Sequence, residues 1–203
     1  MSCDHRFLSK YREGSLLPNW KYNTLIIGTF NPSWDTPNND ADYFYSRSRN
    51  YFWYVLPNLH HTESLLSSNT SQKESFLKTN KVGLTDLIKS IKDANENNKD
   101  HYCLIKTMRD QDLAKFKDFG FNTDEIIKVI NEDKVTRVFI TNLNSPKIFE
   151  KEINRIEKCC KDKEVVFARL LTPSPGARFK LGKGVKIKEG LFKYWDKYFN
   201  QIK

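Results

Sequence analysis

Apolar residues along this chain fall into short runs and helical stripes separated by polar turns. The first run, Thr24-Leu-Ile-Ile-Gly-Thr-Phe30, is β-branched and uninterrupted and ends in Asn31-Pro32-Ser33. Such a run without alternation predicts a parallel strand covered on both faces. Val135-Thr-Arg-Val-Phe-Ile-Thr141 and Glu164-Val-Val-Phe-Ala-Arg-Leu-Leu171 predict two more strands. Val82-Gly-Leu-Thr-Asp-Leu-Ile88 reads as a short strand or turn running into a helix capped by Thr85. Arg49 to Leu56 predicts an aromatic helix stopped by Pro57, after a loop from Asp35 to Asp42. Residues 60–80 predict helical pieces with a flexible joint, and residues 93–101 an exposed polar stretch.

Asn122 with Glu125 has the spacing of a capping box ahead of Ile126, Ile127, Val129 and Ile130. Ser145-Pro146 offers an N-cap and a first-turn proline for a helix whose Phe149, Ile153, Ile156 and Cys160 share one face. A final helix from about Lys188 to Gln201 carries Leu191, Tyr194, Trp195 and Tyr198. Strands alternating with helices predict an α/β fold: a single domain over residues 1–203, a three-layer α/β/α sandwich on a short, mostly parallel four-stranded sheet. Ligands of such sheets bind beyond the carboxyl ends of the strands. Asn31-Pro32, Asn142 to Ser145 and Thr172 to Arg178 then share one rim.

Composition narrows the chemistry. Aromatic residues at 13% can fill a core, which excludes wholesale disorder. The net charge of +9 is concentrated at one end: Arg169 to Lys203 holds nine basic residues and two acids, Glu189 and Asp196. That excess points to a polyanionic partner, with a solvated basic tail as the plainer reading. The charged beginning and the absence of a membrane-length apolar run lead us to expect a soluble, intracellular (cytoplasmic) protein. Four cysteines without Cys-x-x-Cys spacing give little support to a zinc or iron–sulfur site, and Cys160 reads as a buried thiol. His60 and His61 read as surface residues. The rim carries no phosphate-binding glycine–lysine loop, no nucleophile elbow and no acid cluster for a metal. It offers amides, hydroxyls, aromatics and arginines, which suit orientation, stacking and anion stabilisation.

The stretch LIIGTFNPSW followed by DYFYSRSRNYFW resembles the first motif region of the uracil-DNA glycosylase superfamily. Mismatch-specific uracil glycosylases carry G-I-N-P-G and then F-A-H-P-A-N-R-F-W; hypoxanthine-DNA glycosylases carry G-S-F-P-G and then Y-Y-A-H-P-R-N-A-F-W. Asn31-Pro32 is similar to the first pattern, and Gly28-Thr29-Phe30 with Pro32 to the second, while Arg49-Asn50-Tyr51-Phe52-Trp53 fits the R-N-x-F-W block. VGLTDL at 82–87 is similar to the family's second strand and turn. LTPSPGAR at 171–178 sits where the superfamily keeps its second motif, and FKYWDKYF suits its last helix.

The resemblance implies a monofunctional DNA glycosylase of base-excision repair, a hydrolase that flips a deaminated base (uracil or hypoxanthine) and cleaves its N-glycosidic bond with water. It implies that Asn31 holds the water and that Asn50 has a catalytic part; a turn residue and a helix cap are their plainer roles. Gly28, Phe30 and Tyr45 would bind the base, Tyr45 by stacking. Arg47, Ser174, Pro175, Gly176, Arg178 and Lys180 would contact DNA, with Lys183 and Lys186 as further phosphate contacts. Trp53 reads as core. Ser33 stands where the family closes its first motif with glycine, and Arg47 where it has histidine. The cluster-ligating cysteines of some branches have no counterparts, so we expect no cofactor, no metal, and a monomer whose partner is DNA. Two alternatives stay open: an inactive DNA-binding member of the same fold, and a hydrolase or transferase acting on a free nucleotide.

Overall fold

The computed structural model describes residues 2–36, 40–132 and 134–200. Residues 37–39 of the expected Asp35–Asp42 loop and the expected helix end at Gln201 lie outside the described residues. In chain order, β1 (Cys3–Asp4) and β2 (Thr24–Gly28) precede α1 (Phe52–Leu59) and α2 (Thr70–Thr79). Next come β3 (Val82–Asp86), β4 (Ile88–Ile91), α3 (Lys99–Thr107), α4 (Asp110–Leu113) and β5 (Phe119–Phe121). Helix α5 (Thr123–Asn131), β6 (Arg137–Ile140), α6 (Lys147–Asp162) and β7 (Val166–Arg169) follow. A 3₁₀ turn at Pro175–Ala177 and α7 (Arg178–Leu181) lead into α8 (Ile187–Phe199).

Strands β3-β2-β6-β7 form a four-stranded sheet in that order, every neighbouring pair parallel. Side chains of a strand alternate between faces, and both faces here are apolar. Leu25, Ile27, Val138 and Ile140 pack with Ile126, Ile130, Phe149, Ile153, Ile156 and Cys160 of α5 and α6. Ile26, Leu84 and Phe139 pack with Phe52, Trp53, Leu56, Leu77, Leu191 and Trp195 of α1, α2 and α8. The sandwich and its α6 stripe are therefore as expected.

A second sheet, β1-β4-β5, antiparallel in both pairs, was not expected. The helix expected after Thr85 does not form. Leu87 and Ile88 donate their N–H groups to the carbonyls of Gly28 and Thr29, which turns the chain into β4 rather than a helix. Asn122 precedes α5 but its side chain does not cap it. It is fully buried and donates to Thr85 Oγ1 (2.8 Å) and the Asp86 carbonyl (3.2 Å), tying α5 to the end of β3. Glu125 meanwhile pairs with Lys89.

Helix α1 begins at Phe52, and Pro57 lies inside it. Proline has no N–H to give the carbonyl four residues back; the freed Trp53 carbonyl accepts from Leu65 N–H instead, at 2.8 Å. Residues 70–79 form one helix with a reciprocal Asn69–Gln72 capping box. His60 is half-buried rather than a surface residue, its ring edge-on to Phe76 and Phe199. Helix α6 starts at Lys147 with Pro146 as its cap, one position later than expected. Among the described residues no helix is long and apolar enough to cross a membrane.

Candidate active site

In the order β3-β2-β6-β7, the chain runs outward from β2 to one side and then to the other, so the crossover reverses between β2 and β6. Open parallel sheets bind ligands at such a reversal, beyond the carboxyl ends of the strands. A cleft of about 580 Å³ opens there. Its floor is the end of β2 and the turn after it, Gly28 to Asn31; Thr141, Asn142 and Asn144 after β6 form one side. Tyr45, Arg47, Asn50, Thr172 and Ser174 form another, and Met108 to Asp112 a third.

Asn31 is 6% exposed, and among the described residues its side-chain oxygen has no hydrogen-bond partner. An unpaired buried carbonyl costs about 1–3 kcal/mol, so this one is poised for a ligand or a water. The chain's beginning fixes its position. Arg6 N–H donates to the Asn31 carbonyl and Ser33 N–H to that of Asp4, both at 2.8 Å. His5 N–H in turn reaches the Lys89 carbonyl of β4 at 2.7 Å.

His5 is the first residue that sequence reasoning missed. Its ring lies among Phe7, Phe30 and Phe44. Nδ1 accepts from Phe7 N–H at 3.0 Å, so the ring proton sits on Nε2, which donates to Asp86 Oδ2 at 2.7 Å. Asp86, also missed, ends β3 directly opposite Gly28. A Cβ on Gly28 would stand 2.2 Å from Asp86 Oδ1 and 2.7 Å from the Tyr45 hydroxyl, so only glycine admits both groups to the floor. The signal for His5 was the alternation of buried Cys3, His5 and Phe7 with the more exposed Asp4 and Arg6.

Tyr45 adopts a left-handed backbone, φ +58°, which is uncommon for a residue with a side chain. Its neighbours hold it there: Trp53 Nε1 donates to the Phe44 carbonyl, and the buried Lys73 donates to Ser46 Oγ. One face of the Tyr45 ring stacks on Phe52 at 4.1 Å, and its hydroxyl lies 3.0 Å from Thr141 Oγ1. Burial raises the phenol's pKa well above its usual value, and Asp86 adds to the rise. Arg47 is half-buried; burial lowers its pKa, with Asp86 and Asp40 opposing.

Asn50 Oδ1 accepts from Phe52 N–H at 2.9 Å, at the start of α1. The cap position of the helix is Tyr51, without a side-chain cap, so Asn50 is not the expected cap but closes a turn just ahead of it. Its amide nitrogen is the group left for a ligand. Tyr51 N–H donates to the Pro173 carbonyl at 2.7 Å, which draws the R-N-x-F-W block and the Thr172–Arg178 segment together.

A second carboxylate, Asp110, also went unread. Thr29 Oγ1 donates to its Oδ2 at 3.3 Å, and Asn142 Nδ2 donates to the same oxygen. Burial, assisted by the Asp86 charge, raises its pKa to about 6, although both hydrogen bonds oppose the rise. With Asp112, Asp86 and Asp110 make three carboxylates that line the cleft. Among the described residues no group of three or more His, Cys, Asp or Glu is arranged to hold a metal.

Gly28, Phe30, Asn31, Tyr45, Arg47, Asn50 and Ser174 thus meet in one cleft. Pro175, Gly176, Arg178 and Lys180 do not line it; they lie exposed beside Ser174, with Lys183, Lys186 and an almost bare Phe179 close along the chain. Lys186 faces Glu189. Trp53 is core, as expected.

The fold is that of a solved solution structure, a putative uracil DNA glycosylase from Methanosarcina acetivorans. The likeness has a TM-score of 0.54 and covers 90% of this chain and 92% of that one, at 16% identity. No protein-family model and no curated protein matches the chain in sequence.

Proposed function

We propose that this protein belongs to the uracil-DNA glycosylase superfamily and hydrolyses the N-glycosidic bond of a flipped deaminated base, uracil or hypoxanthine, in DNA. The observation that carries this reading is the buried Asn31 side-chain oxygen, without a partner among the described residues, in a cleft at the carboxyl ends of a parallel sheet. An amide oxygen held there orients a water against the anomeric carbon of a sugar. Among the described residues no lysine lines the cleft, so water rather than a protein amine is the attacking group.

The bond breaks with its electron pair leaving on the base, which departs as an anion. Asn50, whose oxygen is engaged by Phe52 N–H, presents its amide hydrogens to that charge, the kind of donor that stabilises a leaving group. Phe30 and Tyr45 supply apolar faces for the base. The exposed Arg178, Lys180 and Lys183 beside Ser174 suit phosphates on either side of the extruded nucleotide.

Base release from end-labelled duplexes tests this. The native protein is expected to liberate uracil or hypoxanthine, and Asn31→Ala to slow release by roughly 10²-fold or more with duplex binding intact. Duplex binding without release from any substrate would overturn the enzyme reading.

A further inference from the structure

We propose that Asp110 is a catalytic residue of the reaction, the general base that takes the proton of the attacking water. This rests on the glycosidic-hydrolysis reading above. It is independent of the motifs that suggested that reading, none of which contains Asp110.

Three observations support it. Asp110 lines the same cleft as Asn31, whose buried side-chain oxygen has no partner among the described residues. The two donors to Asp110, Thr29 Oγ1 and Asn142 Nδ2, both bond Oδ2, and among the described residues Oδ1 accepts no bond. A carboxylate held by one oxygen with the other open is oriented to accept a proton. Thr29 and Asn142 follow the two strands that flank the sheet's reversal, so the carboxylate is fixed against the rigid part of the fold. A pKa of about 6 then leaves the group ionised at neutral pH yet basic enough to receive a proton.

The groups that face it are Asp86 from β3, whose charge raises its pKa, with Tyr45 and Arg47 across the cleft and Arg109 and Asp112 on its own segment. The carboxylate of Asp112 is engaged at both oxygens, by Thr107 and Lys115, whereas Asp86, like Asp110, is held through one oxygen, by His5.

In the step, the water oxygen bonds the anomeric carbon as the bond to the base nitrogen breaks, and that bond's electron pair goes to the base. One water proton passes to Asp110 Oδ1. The base anion takes a proton from solvent, and Asp110 returns its own to solvent.

Single-turnover release across pH tests the assignment. Native protein is expected to gain rate through a midpoint near Asp110's pKa of about 6. Asp110→Asn, which still accepts from Thr29 and Asn142, is expected to lose roughly 10²-fold or more at pH 8 and to lose that limb, with duplex binding unchanged. Asn142→Ala removes a bond that lowers the pKa, so its midpoint is expected to move up; this arm does not depend on the folding of the first variant. Native release with an unaltered rate and profile in Asp110→Asn, or an unmoved midpoint in Asn142→Ala, would overturn this inference and leave the glycosylase reading standing. No release by native protein would overturn that reading itself.

Discussion

Asp110 shows how a site can be placed at a cost to the fold. Its folded pKa of about 6 lies above the ordinary carboxylate value of 3.8, so folding favours the protonated form. The stability this group contributes is fully present below about pH 4 and is lost as pH rises through about 6. A shift of that size corresponds to at most roughly 3 kcal/mol. Asp110→Asn, neutral throughout, is therefore expected to be more stable than the native protein at pH 8 and indistinguishable from it at pH 4. Urea melts at the two pH values check this, and a variant less stable at pH 8 would mean that the carboxylate serves packing. A gain in stability joined to a loss of activity is the signature of a strained functional group.

Among the elements, the short β1 does more than its length implies. It joins the turn bearing Asn31 to β4, and through His5 it holds Asp86 at the floor of the cleft. His5→Phe would keep a ring among Phe7, Phe30 and Phe44 but leave Asp86 without its donor. It is expected to cost about 1–3 kcal/mol in a urea melt, and stability equal to native would show that the bond carries no weight. Strands β2, β6 and β7 were legible because their apolar runs are local, as were α6 and α8 from their stripes; β3, whose VGLTD is less apolar, read only as a strand or turn. The antiparallel sheet was not: β1 and β5 are two and three residues long and exist only by pairing with β4. Pro57 misled for a related reason, since the replacement donor to Trp53, Leu65, lies beyond the helix. Asn31, Tyr45 and Asn50 could be picked out from local motifs. Asp86 and Asp110 acquire their setting from His5, Thr29 and Asn142, which are distant in sequence, and no local pattern announces them.

Across the whole molecule, the charge is unevenly spread. The cleft gathers carboxylates and amides, while the exposed segment beside it carries Arg178, Lys180 and Lys183 without an acid among them. A surface that meets phosphates releases counterions, so binding falls with salt at a slope of about 0.9 per phosphate neutralised. The double variant Arg178→Ala, Lys180→Ala is expected to weaken duplex binding whatever the sequence and to flatten that slope by roughly 2. Titrations at several salt concentrations measure it, and an unchanged slope would place the DNA elsewhere.

The measurement that bears most directly on the reading as a whole is base release by the native protein from duplexes carrying a single uracil, hypoxanthine, xanthine or mismatched thymine. The abasic strand is cleaved by alkali, with Asn31→Ala run in parallel. Release of uracil or hypoxanthine that the substitution suppresses, in a protein that still folds and binds, is the expected result. Intact strands from every duplex, with binding retained, would contradict it and leave a protein that holds DNA without cutting the glycosidic bond.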